Sequence, residues 1–236
     1  MNKILIISFI SFIIILIIII NNNNKNNNKI KFNKKNNLEH ICSYNGNEPE
    51  YNRNLWNNNN NIQDSHNCYA YALNDICDPL IELCENTDCE YINPQPGHYC
   101  GSTKRVNYDE TNCASLYERM LCDNPELELS TCENKCPDDK YKIGLTIGNY
   151  KTDDKHETYH YYRQDNDGLW SHKDGGGEAK ALDASNNLIY NPEFADRDYN
   201  NIDYHTWCGY YCIPHGTNIA RNDYFNDKLH YECSNI

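Results

Sequence analysis

Among thirteen cysteines, Cys68 is the one with a chemical reason to stay unbridged. It opens the string N-C-Y-A-Y-A-L, Asn67 to Leu73. Asn67 suits a helix N-cap, because its side-chain oxygen can accept from an orphan backbone N–H. Tyr69, Leu73 and Ile76 follow on one helical stripe with Ala72 beside them, so a helix to about Asp75 is predicted. A thiol in its first turn sits at the positive end of the helix dipole, which favours thiolate. The count of thirteen is odd, so at least one sulfur lacks an intramolecular partner. The alternative is that Cys68 is one more half of a disulfide.

A nucleophilic thiol needs a base, and the base needs an orienting group. His160 and His172 flank the turn Asp165-Asn166-Asp167-Gly168. A two-residue loop would set His172 opposite Tyr161 and put the two imidazoles on opposite faces. A three-residue loop with a glycine bulge sets His172 opposite Tyr162, on the face of His160. D-N-D-G, with its glycine last, suits the second register. The same stretch is a poor calcium loop, since the third acid and the distal glutamate are missing. His156 and His160 lie four apart, but strand rise would separate them by about 13 Å, too far to share a metal. No metal and no other cofactor is expected.

The surrounding elements read as helices early and strands late. Ala114 to Cys122 is a short helix with Asn112 near its start; Tyr141 to Tyr150 alternates with Ile143, Leu145 and Ile147 on one face. Glu157 to Gln164 and Leu169 to Lys173 form a hairpin, and Leu188 to Tyr190 and Thr206 to Ile213 read as further strands. This order is α+β. Residues 77–136 form a cysteine-rich insert with eight cysteines, an even number that could close its own bridges.

Composition narrows the setting. Residues 1–37 hold six lysines and no acid, so the remainder carries 21 − 6 = 15 basic against 34 acidic residues, a charge of −19. Such a domain repels phosphate backbones, which excludes nucleic acid as the expected partner. The cysteines lack paired zinc-motif spacings and point instead to an oxidising compartment, secreted or in the secretory-pathway lumen. Residues 4–20 are an apolar run that reads as a signal peptide or an uncleaved signal anchor, the one expected link to a membrane. Residues 21–37 are an asparagine- and lysine-rich linker, and residues 38–236 a single domain.

A cysteine at a helix start, then a strand histidine, then a polar residue on the next strand resembles the order in NlpC-type cell-wall peptidases and the related CHAP amidases, which share a papain-like fold. N-C-Y-A-Y-A-L and R-Q-D-N-D-G-L-W-S-H-K also resemble strings in a group with no assigned activity. The resemblance implies a papain-like α+β fold with the cysteine helix packed on a C-terminal antiparallel sheet. It implies Cys68 as nucleophile, His160 as base and His172 as orienting residue, acting on a peptide or amide, possibly in bacterial cell wall. The chain departs from the family at Asn67, Tyr69 and Ala70, where an acid and Ser-Gly are usual, and in the cysteine-rich insert. The rival expectation is a non-enzymatic, disulfide-rich extracellular binding or matrix protein on the same scaffold.

Overall fold

Period-two alternation dominates the second half of the chain and builds one sheet there. The computed structural model describes residues 41–58, 60–86, 95–100 and 111–217. The expected signal or anchor and the linker lie outside the described residues. The chain divides into Met1–Ile41 and Cys42–Ile236, and every element described belongs to the second unit. Its helices are α1 (Arg53–Asn57), α2 (Asn60–Ser65), α3 (Cys68–Ala72), α4 (Asp78–Asn86) and α5 (Cys113–Asp123). Its strands are β1 (Glu128–Ser130), β2 (Lys140–Tyr150), β3 (Asp153–Gln164), β4 (Trp170–Lys173), β5 (Ala179–Lys180) and β6 (Ile202–Pro214). The strands form one antiparallel sheet in the order β1-β6-β2-β3-β4-β5.

Both faces of this sheet are covered. Tyr141, Ile143, Leu145, Ile147, Tyr161, Tyr211 and Ile213 point to one face, against Leu73, Leu80, Leu116 and Met120 from the helices. Tyr162, Trp170 and Tyr210 point to the other, with Ile189 and the Cys42–Cys132 bridge. Because both faces are dry, β2 is buried without alternation from Lys140 to Gly148. Helix α3 docks on the first face: the Tyr69 and Tyr161 rings are 5.1 Å apart, and Tyr141 Oη donates to the Ala72 carbonyl at 3.0 Å.

The hairpin takes the three-residue loop. Asp165 N–H donates to the Leu169 carbonyl at 2.8 Å, Gly168 has φ +82°, and Tyr162 pairs with His172. The left-handed position is open to glycine at no steric cost. Helix α3 stops at Ala72, sooner than the apolar stripe implies, because Asn74 turns left-handed at φ 51°. Leu188 to Tyr190 joins the sheet only through isolated bridges, Trp170 to Ile189 and Leu182 to Leu188.

The bridges correct the expectation of a self-contained insert. Cys42 pairs with Cys132, Cys113 with Cys208 and Cys136 with Cys212; only Cys100–Cys122 of these four joins two insert cysteines. Cys77 and Cys84 are also disulfide-bonded. Even numbers permit internal pairing but do not favour it once β6 runs past the insert's ends.

Behind α3, Arg163 is fully buried and its donors are used up. Nε and Nη2 reach Asp165 Oδ1 at 3.0 and 2.8 Å, Nη1 reaches Asn74 Oδ1 at 2.7 Å and the Tyr71 carbonyl at 3.3 Å, and Nη2 reaches the Glu50 carbonyl at 3.2 Å. Burial pushes the Asp165 carboxyl up, against the pull of Arg163. Arg163→Met therefore strands a buried carboxylate and is expected to lower unfolding free energy by about 3–5 kcal/mol in urea titrations. Adding Asp165→Asn should recover part of that loss.

Candidate functional site

Asn67 caps α3 as its sequence position requires, accepting from Tyr69 N–H at 3.0 Å and Ala70 N–H at 3.1 Å. This fixes Cys68 at the first position of the helix. Cys68 is the free cysteine among the described residues, and it is buried. Burial pushes its thiol up to about 12, partly offset by hydrogen bonding from the Tyr161 backbone; Asp174 raises it further and Lys173 lowers it. The expected dipole-driven thiolate gives way to desolvation, because a five-residue helix in a dry core offers less than the core takes away.

The three-residue hairpin loop brings His160 and His172 together. His160 Nε2 lies 2.8 Å from His172 Nδ1, with ring centroids 4.9 Å apart and planes at 79°. Tyr204 stacks on His160 at 4.9 Å, and Tyr162 meets it edge-on at 5.2 Å. His172 Nε2 lies 3.1 Å from the Leu182 carbonyl. The Tyr199 hydroxyl lies 3.3 Å from the same nitrogen, so Nε2 has a carbonyl acceptor and a hydroxyl beside it. Nδ1 faces both His160 Nε2 and the Asp174 carboxylate. Burial, then His172, push the His160 imidazole down to about 3, with Asp174 opposing.

Asp174 completes the cluster, and the sequence reading passed over it. Its Oδ1 is 3.4 Å from His172 Nδ1 and 3.8 Å from His160 Nε2, while Oδ2 accepts from Lys180 Nζ at 2.8 Å. Burial would raise this carboxyl, but the His172 hydrogen bond and its other neighbours hold it well below the usual carboxylate range. Alternation along S-H-K-D already set Asp174 on the His172 side, which is the signal that would have found it.

Asp174 and Tyr204 stand between the thiol and the imidazoles: both feel Cys68, Asp174 meets both rings, and Tyr204 stacks on His160. Tyr161 faces α3, so His160 and Tyr162, its neighbours on the strand, face the opposite side. His172, paired with Tyr162, shares that side. The groups acting on Cys68 are the backbone of Tyr161 and Tyr69, with Asp174 of the imidazole cluster and Lys173 nearby. Lys173 is itself tied down: its Nζ donates to the carbonyls of His66 at 2.6 Å, Gln63 and Gly175. Among the described residues no helix is long and apolar enough to cross a membrane.

Comparison with known proteins adds one relationship. The chain is 33% identical over 137 residues to insoluble matrix shell protein 1 of Ruditapes philippinarum, a match spanning 58% of this chain and 74% of that protein. No family model matches the chain, and no solved structure matches it.

Proposed function

The chain belongs to the family of insoluble matrix shell protein 1, and from that premise we propose that it is an extracellular, disulfide-stapled structural protein of a matrix. The relationship carries this reading. Its support within the chain is the set of long-range bridges, which tie the N-terminal segment, α5 and β6 into one sheet and persist only in an oxidising compartment. Expression of the full chain through a eukaryotic secretory pathway tests it. Recovery in the insoluble extracellular fraction, released by denaturant with reductant, is the expected result. A freely soluble protein with Cys68-dependent amidase activity would overturn it.

A papain-like cysteine hydrolase of NlpC type is the second reading. It draws on the free Cys68 and on the orienting contact between His172 and His160. It ranks second on energetics. Moving a proton from a thiol at about 12 to an imidazole at about 3 is uphill by on the order of 10 kcal/mol. Native Cys68 is therefore expected to resist iodoacetamide, with mass-mapped alkylation at least about 100-fold slower than in the unfolded chain. Rapid native labelling, abolished in Cys68→Ala together with hydrolysis of a peptide amide, would reverse the ranking.

A further inference from the structure

We propose that His160, His172 and Asp174 form a binding site for a divalent first-row transition cation of the zinc class. Three ligand atoms converge: His160 Nε2, His172 Nδ1 and Asp174 Oδ1, at mutual separations of 2.8, 3.4 and 3.8 Å. Tetrahedral ligands about 2.05 Å from a zinc ion stand about 3.3 Å from one another, so these spacings bracket the requirement. Small ring movements would complete it. The donor set of two imidazole nitrogens and one carboxylate oxygen suits zinc, copper or iron and not calcium or magnesium, which take oxygen shells.

Two independent features favour a cation over a plain hydrogen-bonded cluster. First, the Leu182 carbonyl and the Tyr199 hydroxyl hold the outer nitrogen of His172, the outer-sphere arrangement that orients the other nitrogen for a metal. Second, Asp174 Oδ1 stands 3.4 and 3.8 Å from the two inner ring nitrogens, so a carboxylate oxygen completes a mixed ligand set around one point. A cation there would meet all three groups at once. Lys180 holds Oδ2 and leaves Oδ1 turned toward the rings, and the Asp174 side chain, 38% exposed, gives a route of entry and room for a water as fourth ligand. The pair His156 and His160, considered from spacing alone, is not the site. The proposal stands on these side chains and does not rest on the structural reading above.

The test uses the untagged, oxidised full chain, stripped with a chelator and titrated with Zn2+ and Co2+. One equivalent should bind, Co2+ should give tetrahedral d–d bands, and Zn2+ should raise the unfolding temperature. Losing an outer partner alone weakens metal sites 10–100-fold, so Asp174→Asn should weaken binding at least about 100-fold and abolish the thermal shift. Its partly exposed position makes it the deciding variant, since buried His172→Ala tests folding as well. His205→Ala, on the exposed β6 surface, should bind as wild type does. No binding, or equal binding by wild type and Asp174→Asn, would overturn the site. Loss of binding in His205→Ala would also do so, by moving the ion to the surface.

Discussion

Reduction of the native protein under otherwise mild conditions is expected to unfold it. The bridges Cys113–Cys208, Cys42–Cys132 and Cys136–Cys212 span 95, 90 and 76 residues, and Cys100–Cys122 spans 22. Restricting the unfolded chain over loops of that length contributes roughly 4–5 kcal/mol for each long bridge and about 3 kcal/mol for the short one. The loops overlap, so the terms do not sum. Even half their total rivals the 5–15 kcal/mol that holds a typical domain folded. Circular dichroism melts with and without a phosphine reductant will measure it. The reduced protein should lose its cooperative transition. The paired Cys113→Ala, Cys208→Ala variant should melt about 10–20 °C lower, at 2–4 °C per kcal/mol for a domain of this size. A reduced protein that melts like the oxidised one would mean the sheet core alone suffices and the staples are incidental to stability.

What the sequence made legible was local, and what it withheld was relational. D-N-D-G specified the loop, the loop specified the register, and the register put His172 beside His160; each step is set by residues within a few positions of one another. The Asn67 cap was readable for the same reason. Nothing local says which face of the sheet α3 covers. That is decided by Tyr69 against Tyr161 and by Arg163 reaching back to Tyr71 and Asn74, contacts between residues about 90 apart. So the imidazole pair was readable from the turn, and the packing of α3 on the sheet was not. The bridge pattern escaped for a related reason: cysteine counts carry parity, and position in the fold chooses partners. The dipole argument for Cys68 weighed a helix-end effect worth about 1 kcal/mol without the desolvation that depth in the core brings.

Depth in the core also governs the response to acid. His66 and His160 are both buried and both pushed down to about 3, chiefly by burial. His66 has a further reason to stay neutral, because its Nε2 accepts from Cys77 N–H at 2.8 Å and a proton there would break that bond. Each folded-state value lies below the ordinary 6.5, so the unfolded chain takes up these protons first. Stability from both groups is whole above about 6.5 and is lost as pH falls toward 3. At the lower end each loss approaches about 5 kcal/mol. Asp123 works the other way: burial raises its carboxyl to about 6, so it returns roughly 3 kcal/mol over the upper part of the same fall. The net expectation toward pH 3 is a loss of roughly 7 kcal/mol, deepened at lower pH when Asp174 gives up its depressed carboxylate. Urea unfolding at a series of pH values from 7 to 4 will show it as a falling midpoint at constant slope. In His66→Gln the side-chain oxygen can still accept from Cys77 while nothing titrates, so most of the pH dependence should vanish, leaving His160 largely offset by Asp123. A flat stability between pH 7 and 4, or an undiminished slope in His66→Gln, would mean that these imidazoles are already reached by water in the native protein.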